Sequence, residues 1–225
     1  RKFVYGANGS SRNVSADTST GTGALTGGAT VGAGTDPRAI AVDPKGKYVY
    51  VAKFSSNNVS AYSIASGSGA LTFLGTVGAG GIGPNSIAVD PTGKFVYVTI
   101  DSNVSAYSIT GAGTLTFQSV LGTTDLTDTR SIAVDPTGKF AYVTDSFQDR
   151  VFAYTIDAGT GALGNESWVA TGADPVSVAV DPSGRYVYVA NNSSGNVSAY
   201  SINAVTGALT SLGTVAARPI SSPLP

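Results

Sequence analysis

The chain has 225 residues without cysteine, histidine or methionine, and 13 Lys plus Arg against 14 Asp plus Glu leave a formal net charge of −1. These counts exclude disulfides, thiolate metal sites and histidine general bases, and evenly spread basic residues do not form a nucleic-acid-binding face. Hydrophobic residues make up 42% of the chain, too many for a disordered protein, yet no apolar run reaches the roughly 20 residues of a membrane span.

One phrase recurs four times. It reads SIAVDPTGKFVYVT at residues 86–99, with near-copies at 39–52, 131–144 and 177–190. The aspartate of its VDP triplet falls at positions 43, 90, 135 and 181, in steps of 47, 45 and 46 residues. The motifs V-S-A-Y and G-[AT]-L recur with the same period, which indicates a structural repeat rather than compositional bias.

In chain order, the predicted elements are all β-strands. Residues 1–5, RKFVY, match KYVY at 47–50 and predict a second strand, followed by a third strand and a turn over 13–25. Each later unit begins with a short apolar strand such as SIAV, and D-P-x-G then predicts a type I turn. Alternation in KFVYVT predicts the second strand. NVSAYSI and, after a TGAL-like turn, LTFLGTV predict the third and fourth.

Four antiparallel strands in about 45 residues are the size of a β-propeller blade. A β-sandwich and a parallel β-helix are the alternatives, but sandwich strands do not repeat in sequence and β-helix rungs are shorter. We predict one all-β domain of five blades, the first shared between both ends of the chain and closed by a strand near residues 219–222. The alternative is part of a seven-bladed ring. The predicted blades cover residues 1–33 plus 216–225, 34–79, 80–122, 123–170 and 171–215.

A family resemblance rests on four short motifs of the second strands and on two turn motifs. The strand motifs are YVAK (50–53), YVTI (97–100), YVTD (142–145) and YVAN (188–191), and the turn motifs are AVDPTGK and TGALT. They resemble the YVTN repeat of the lactonase-like β-propellers over practically the whole chain. That family is usually seven-bladed and includes propeller-type 6-phosphogluconolactonases as well as surface-layer repeat proteins. The resemblance therefore implies a propeller fold with either lactonase activity or a surface role. Because the matched residues are turn and strand residues, no catalytic residue is carried over.

A candidate ligand site lies five positions before the repeated aspartates, at Arg38, Asn85 and Arg130, with Val176 in the last unit. Propellers bind ligands where the loops that enter the first strand and leave the second converge on the channel mouth. Two guanidiniums and an amide would ring that opening and could hold a small anion or a sugar. The alternative is that the loop charges pair among themselves. The acidic residues of these loops are Asp36, Asp125, Asp128, Asp145, Asp149 and Asp174.

Other polar motifs have simpler interpretations. We expect the VDP aspartates to accept backbone N–H bonds in their own turns rather than to bind metal, and we predict no metal and no cofactor. The glycine runs at 32–34 and 78–83 predict turns between blades. The repeated N-V-S sequons, expected at the exposed start of the third strand, are candidate glycan acceptors or turn residues. They begin at Asn13, Asn58, Asn103 and Asn196.

A surface covered by Ser, Thr, Asn and Gly instead of charges indicates an extracellular or cell-surface protein. The function expected first is a non-catalytic structural or interaction propeller, as in a surface layer, sheath or adhesive assembly. Its partners would be other proteins, further copies of itself or glycans, not nucleic acid or a membrane. The alternative is a lactonase-type hydrolase or a carbohydrate-binding propeller with its site at the channel mouth.

Overall fold

In the computed structural model, which describes residues 2–121 and 125–217, every regular element is a β-strand. The strands are β1 (Lys2–Asn8), β2 (Asn13–Ser19), β3 (Leu25–Gly32), β4 (Pro37–Val42), β5 (Tyr48–Lys53), β6 (Asn58–Ile64), β7 (Leu71–Gly78), β8 (Pro84–Val89), β9 (Phe95–Ile100), β10 (Asn103–Ile109), β11 (Leu115–Val120), β12 (Thr129–Val134), β13 (Phe140–Asp145), β14 (Arg150–Ile156), β15 (Leu163–Ala170), β16 (Pro175–Val180), β17 (Tyr186–Asn191), β18 (Asn196–Ile202) and β19 (Leu209–Ala216). None of the described residues forms a helix that could cross a membrane.

The strands form five antiparallel sheets, each with its strands in sequence order. β1–β3 make the first blade, and β4–β7, β8–β11, β12–β15 and β16–β19 make four four-stranded blades. The first strands β4, β8, β12 and β16 contact one another in that order and therefore lie nearest the central axis. The predicted all-β architecture of propeller blades is confirmed, and the described strands make five of them. The predicted closing strand lies outside the described residues, so the sharing of the first blade between both ends stays a prediction.

The hydrophobic core lies between blades rather than inside a two-layer sandwich. Strand β9 is buried along its whole length, and the tyrosines at its centre and at the centre of β10, Tyr97 and Tyr107, are both fully buried. A blade is covered on both faces by its neighbours, so its middle strands need apolar residues at consecutive positions. This explains why YVYVAK and FVYVTI alternate aromatic with β-branched residues instead of apolar with polar ones.

A tyrosine–glycine contact joins neighbouring blades. A tyrosine of the second strand donates its hydroxyl to a glycine carbonyl in the last turn of the next blade, and an aromatic ring two residues earlier covers the same glycine. The pairs are Tyr5–Gly69 (3.0 Å), Tyr50–Gly113 (3.1 Å), Tyr97–Gly161 (2.9 Å) and Tyr142–Gly207 (3.1 Å). In the fifth blade the equivalent Tyr188 is 43% exposed. The equivalent glycine of the first blade, Gly23, has open space around it, so the described residues make this contact at four junctions.

Removing one of these hydroxyls tests the contact. Burial, and secondarily the charge of Asp90, raises the pKa of Tyr97 far above its usual range, so its hydroxyl stays a donor. We expect Tyr97→Phe to lower the free energy of unfolding by about 1–2 kcal/mol, because the buried Gly161 carbonyl loses its partner. The matched change Tyr188→Phe should cost less than about 0.5 kcal/mol. Urea unfolding followed by tyrosine fluorescence measures both, and equal effects would contradict the assignment.

The repeated aspartates close the turn between the first two strands of each blade. Asp90 is 2% exposed, and its carboxylate accepts the backbone N–H groups of Thr92 (3.0 Å), Lys94 (2.8 Å) and Phe95 (2.7 Å). Asp43, Asp135 and Asp181 accept the equivalent bonds. The interpretation of these residues as turn-closing groups is confirmed.

The hydrogen bonds also set the acidity of the most accessible member of this series. Donation from the hydroxyl of Ser183, aided by the backbone N–H groups of Tyr186, Ser183 and Arg185, lowers the pKa of Asp181 to about 2, against a smaller opposing effect of burial. A carboxylate that accepts several N–H bonds is stabilised in its charged form. The turn therefore keeps its hydrogen bonds at any pH well above 2.

Candidate functional site

The predicted site residues lie on the strands nearest the axis. Arg38, Asn85 and Arg130 are each the second residue of their strands, β4, β8 and β12. Each of these residues lies opposite the last residues of the second strand of the same blade. Two sets of loops meet there: those that join one blade to the next, and those that follow the second strand. The structure thus brings the three side chains to one end of the propeller. Their role in ligand binding stays a prediction.

A cavity of about 520 Å³ opens at this end, which we call the channel-mouth cavity. Its apolar wall includes Phe54 and Ile82, and its polar lining includes Asn85, Asp101, Asp128 and Arg130. A pocket with apolar walls and a few convergent polar groups is the usual form of a small-molecule site.

Arg38 orients Asn85 rather than lining the cavity. Its Nη1 donates to Asn85 Oδ1 at 3.0 Å, its Nε lies 3.4 Å from a carboxylate oxygen of Asp36, and its guanidinium lies over the Phe54 ring at 3.4 Å. With its carbonyl oxygen occupied by Arg38, the Asn85 amide is left to act through Nδ2. That nitrogen has only a long contact of 3.5 Å to the Thr129 carbonyl, so it can donate to a ligand.

Arg130 is held by two neighbours on its own blade. Its Nη2 pairs with Asp128 at 2.8 Å, its Nε donates to Ser146 Oγ at 3.1 Å, and Ser146 donates to the same Asp128 carboxylate at 2.5 Å. Both charged side chains are partly exposed, so the ion pair adds little to stability. It does fix the guanidinium plane, and it leaves Nη1 without a hydrogen-bond partner among the described residues, on a side chain that lines the cavity.

Asp101 is the cavity residue that the sequence interpretation missed. Its backbone carbonyl accepts the Thr129 N–H at 2.6 Å, which ties this loop to the next blade. Its carboxylate makes no hydrogen bond or ion pair with the residues that the structure describes, and it lines the channel-mouth cavity. The available signal was its position directly after YVTI, in the loop that carries other acidic residues one blade further on.

The other acidic loop residues have structural partners. Asp145 is fully buried and accepts the backbone N–H groups of Asp128, Phe147 and Gln148 at 3.0–3.1 Å, so it shapes the loop that presents Asp128. Asp149 accepts the Asp174 N–H at 2.8 Å, and Asp174 accepts the amide of Asn192 at 2.8 Å. For these residues, pairing within the loops, the alternative to ligand binding, describes the contacts observed.

The sequon asparagines begin the third strand of their blades, as predicted, but they are half-buried and not exposed. The expectation of exposure was wrong because each asparagine pairs in register with the last residue of the preceding strand. Asn8 donates to Asn13 Oδ1 at 2.8 Å, and Asn191 donates to Asn196 Oδ1 at 2.7 Å. Glycosylation of Asn13, Asn58, Asn103 and Asn196 stays a prediction.

The profile of the family described as "Lactonase, 7-bladed beta-propeller" matches residues 1–80 and 77–221. The chain belongs to the lactonase family. This match confirms the family resemblance inferred from the YVTN motifs. The family is described as seven-bladed. This agrees with the alternative prediction that the five described blades are part of a seven-bladed ring. No curated protein matches this chain in sequence.

Solved structures share the fold of this lactonase-family chain. A candidate 6-phosphogluconolactonase from Bacteroides uniformis is 22% identical with a TM-score of 0.82, over 95% of this chain and 68% of its own. A second from Bacteroides fragilis is 20% identical with a TM-score of 0.80, over 96% and 68%. The periplasmic gluconolactonase of Pseudomonas aeruginosa is 19% identical with a TM-score of 0.76, over 90% and 63%. At these identities the likeness shows the fold and not the substrate.

Proposed function

We propose that this protein hydrolyses a lactone in the channel-mouth cavity, the alternative function expected from the sequence. The observation that carries the proposal is that three polar groups line this cavity: the Asn85 amide, the fixed guanidinium of Arg130, and the Asp101 carboxylate, which has no partner among residues 2–121 and 125–217. Membership of the lactonase family and the gluconolactonase names of solved relatives support the same reaction class.

The chemistry assigns one role to each group. The lactone carbonyl oxygen accepts hydrogen bonds from Arg130 Nη1 and Asn85 Nδ2, which stabilise the negative charge that develops on it. The Asp101 carboxylate takes a proton from a water molecule as that water attacks the carbonyl carbon. The ring C–O bond then breaks, the proton returns to the leaving alkoxide oxygen, and the product is a hydroxy acid. Arg38 acts through Asn85 and is a positioning residue.

The test uses glucono-δ-lactone and follows acid release in a pH-stat, corrected for spontaneous hydrolysis. We expect Asp101→Asn to lower kcat by about 10²-fold or more, the usual size of a lost general base. Arg130→Met should lower kcat/KM by about 10²–10³-fold through the lost charge stabilisation.

The matched control is Asp174→Asn, which changes an acidic residue in a loop between two blades that does not line the cavity, and it should keep kcat within about twofold. Absence of turnover above background in the wild-type protein, or full activity in Asp101→Asn, would sink the proposal.

An extracellular or cell-surface location, with protein or glycan partners, remains a proposal that composition supports. Intact-mass measurement on protein isolated from its natural source tests the glycan part, because each occupied sequon adds sugar-sized increments to 22.5 kDa. Asn13→Gln, Asn58→Gln, Asn103→Gln and Asn196→Gln should each remove one increment, and an unmodified mass would contradict it.

A further inference from the structure

A buried lysine without a counter-ion lies between the first two blades. Lys53, the last residue of β5, is 4% exposed, and within residues 2–121 and 125–217 nothing accepts a hydrogen bond from its ammonium group or pairs with its charge. Burial lowers the pKa of Lys53. A buried charge without a partner is costly, so the position calls for an explanation other than stability.

Two further polar atoms beside Lys53 also lack partners. Asn58 pairs with Lys53 in register, and Ser60 lies two residues further along β6. Asn58 Oδ1 and Ser60 Oγ are both buried without a hydrogen-bond partner. Most buried polar atoms in proteins are hydrogen-bonded. Two buried oxygens without partners beside an ammonium group without a counter-ion among the described residues therefore indicate that this place can take a further polar partner.

In the fifth blade the same three positions bond to one another, although Asn191 Oδ1 is itself buried without a partner among the described residues. There Asn191 takes the place of Lys53, and its Nδ2 donates to Asn196 Oδ1 at 2.7 Å and to Ser198 Oγ at 2.8 Å. Asn196 and Ser198 are the counterparts of Asn58 and Ser60 in the repeat. In the second blade a lysine stands where the fifth blade has Asn191, so this hydrogen-bond network is absent. The longer Lys53 side chain extends beyond Asn58 and Ser60 and places its ammonium group beside Gly34.

A cleft of about 300 Å³ leads to the lysine. Lys53 and Ser60 form its polar end, and the rings of Tyr62 and Phe73, 5.6 Å apart and edge to face, form its wall. Gly34, at φ +87°, lies so close to Lys53 that an added Cβ would be 3.3 Å from its Nζ. A side chain at this position would press on the end of Lys53, so the glycine gives the ammonium group its space.

The third blade has an apolar version of the same place. Ile100 replaces Lys53, and the ring of Phe117 lies against Gly80, the counterpart of Gly34. Ser105, the counterpart of Ser60, donates to the Ala79 carbonyl at 2.5 Å. That neighbouring blade closes the space with apolar contacts and a satisfied hydroxyl, so the open polar cleft at Lys53 is not a feature of the third blade.

We propose that the cleft at Lys53 binds a small aromatic carboxylate. The carboxylate would take the counter-ion position at the Lys53 ammonium and accept a hydrogen bond from the Ser60 hydroxyl. An aromatic body fits the wall formed by Tyr62 and Phe73, where edge-to-face contacts are favourable. Phe73 is 53% exposed, so a ligand ring would also cover apolar surface that is now in contact with water. The site is separate from the channel-mouth cavity and does not depend on the lactonase proposal.

The experiment titrates the whole ¹⁵N-labelled protein at neutral pH with benzoate, benzyl alcohol and benzylamine. Benzoate should cause saturable shifts of the Gly34 and Ser60 amide signals, and benzyl alcohol should bind at least tenfold more weakly because it lacks the charge. Benzylamine should not bind. Inorganic phosphate should bind at least tenfold more weakly than benzoate because it lacks the ring.

Lys53→Met keeps the side-chain length and removes the charge, so benzoate should bind it at least tenfold more weakly. Lys94→Met, at an exposed lysine of the next blade, is the matched control and should bind benzoate like the wild type. Ser60→Ala is a second variant expected to weaken binding if Lys53→Met fails to fold. Asp101→Asn should lose lactone turnover and keep benzoate binding. Equal binding of benzoate and benzyl alcohol, or no saturable shift at Gly34, would overturn the proposal.

Discussion

Replacing Gly113 by alanine is expected to lower the free energy of unfolding by about 2–5 kcal/mol. About 1–2 kcal/mol comes from a left-handed non-glycine residue and about 1–3 kcal/mol from overpacking. Gly113 has φ +84°, and an added Cβ would lie closer than 3.0 Å to three ring atoms of Tyr48. Its carbonyl also accepts the hydroxyl of Tyr50 at 3.1 Å. The ring would have to move, and the hydrogen bond between the second and third blades would be strained with it.

The matched control is Gly23→Ala. Gly23 occupies the same repeat position with the same φ of +84°, but nothing lies within 4 Å of an added Cβ. It should therefore show only the conformational part of the cost, about 1–2 kcal/mol. Urea unfolding measured by circular dichroism gives both values. Similar losses at the two glycines would show that the aromatic ring on Gly113 contributes nothing to the junction.

Replacing Asp90 by alanine is expected to destabilise the protein by about 3–4 kcal/mol, since hydrogen bonds to a charged acceptor are worth about 1.5–3 kcal/mol each and the losses overlap. Three backbone N–H groups at the turn lose their acceptor, and the site is nearly inaccessible to water. Asp90→Asn should recover part of this loss, because its amide oxygen can still accept from Lys94 and Phe95 while its NH₂ faces the Thr92 N–H.

Asp101→Asn is the control for the Asp90 variants, because Asp101 is exposed, its carboxylate has no partner among the described residues, and asparagine tolerates its φ of +26°. Its effect should stay within about 0.5 kcal/mol. Thermal unfolding with calorimetry separates the two. A loss below about 1 kcal/mol for Asp90→Ala would mean that water replaces the carboxylate, and the repeated aspartate would then not be a stability determinant.

The turns and strands could be predicted from the sequence because they depend on short local motifs that recur in every blade. D-P-x-G places a turn with an aspartate acceptor, and the alternation in FVYVT places a strand buried on both faces. The positions of Arg38, Asn85 and Arg130 followed as well, because equal spacing from a turn means equal depth in each blade.

The candidate site itself could be predicted only in part, because its contacts join residues from different blades. Nothing in the sequence shows that Arg38 occupies the carbonyl of Asn85, or that Asp101 keeps a carboxylate without a partner while Asp145 is used inside its loop. The half-buried sequons are another example, since a polar residue at a strand start does not reveal which neighbour it pairs with.

The sequence by itself therefore determined the repeat, the blade and the turn chemistry, because these arise from interactions within a few residues or across adjacent strands. Only the tertiary structure decided which polar groups are satisfied and which are left for a ligand. Lys53 shows why: it occupies the same position as Ile100, Asp145 and Asn191, and only the packing of its loop and neighbouring blade leaves its charge buried without a partner.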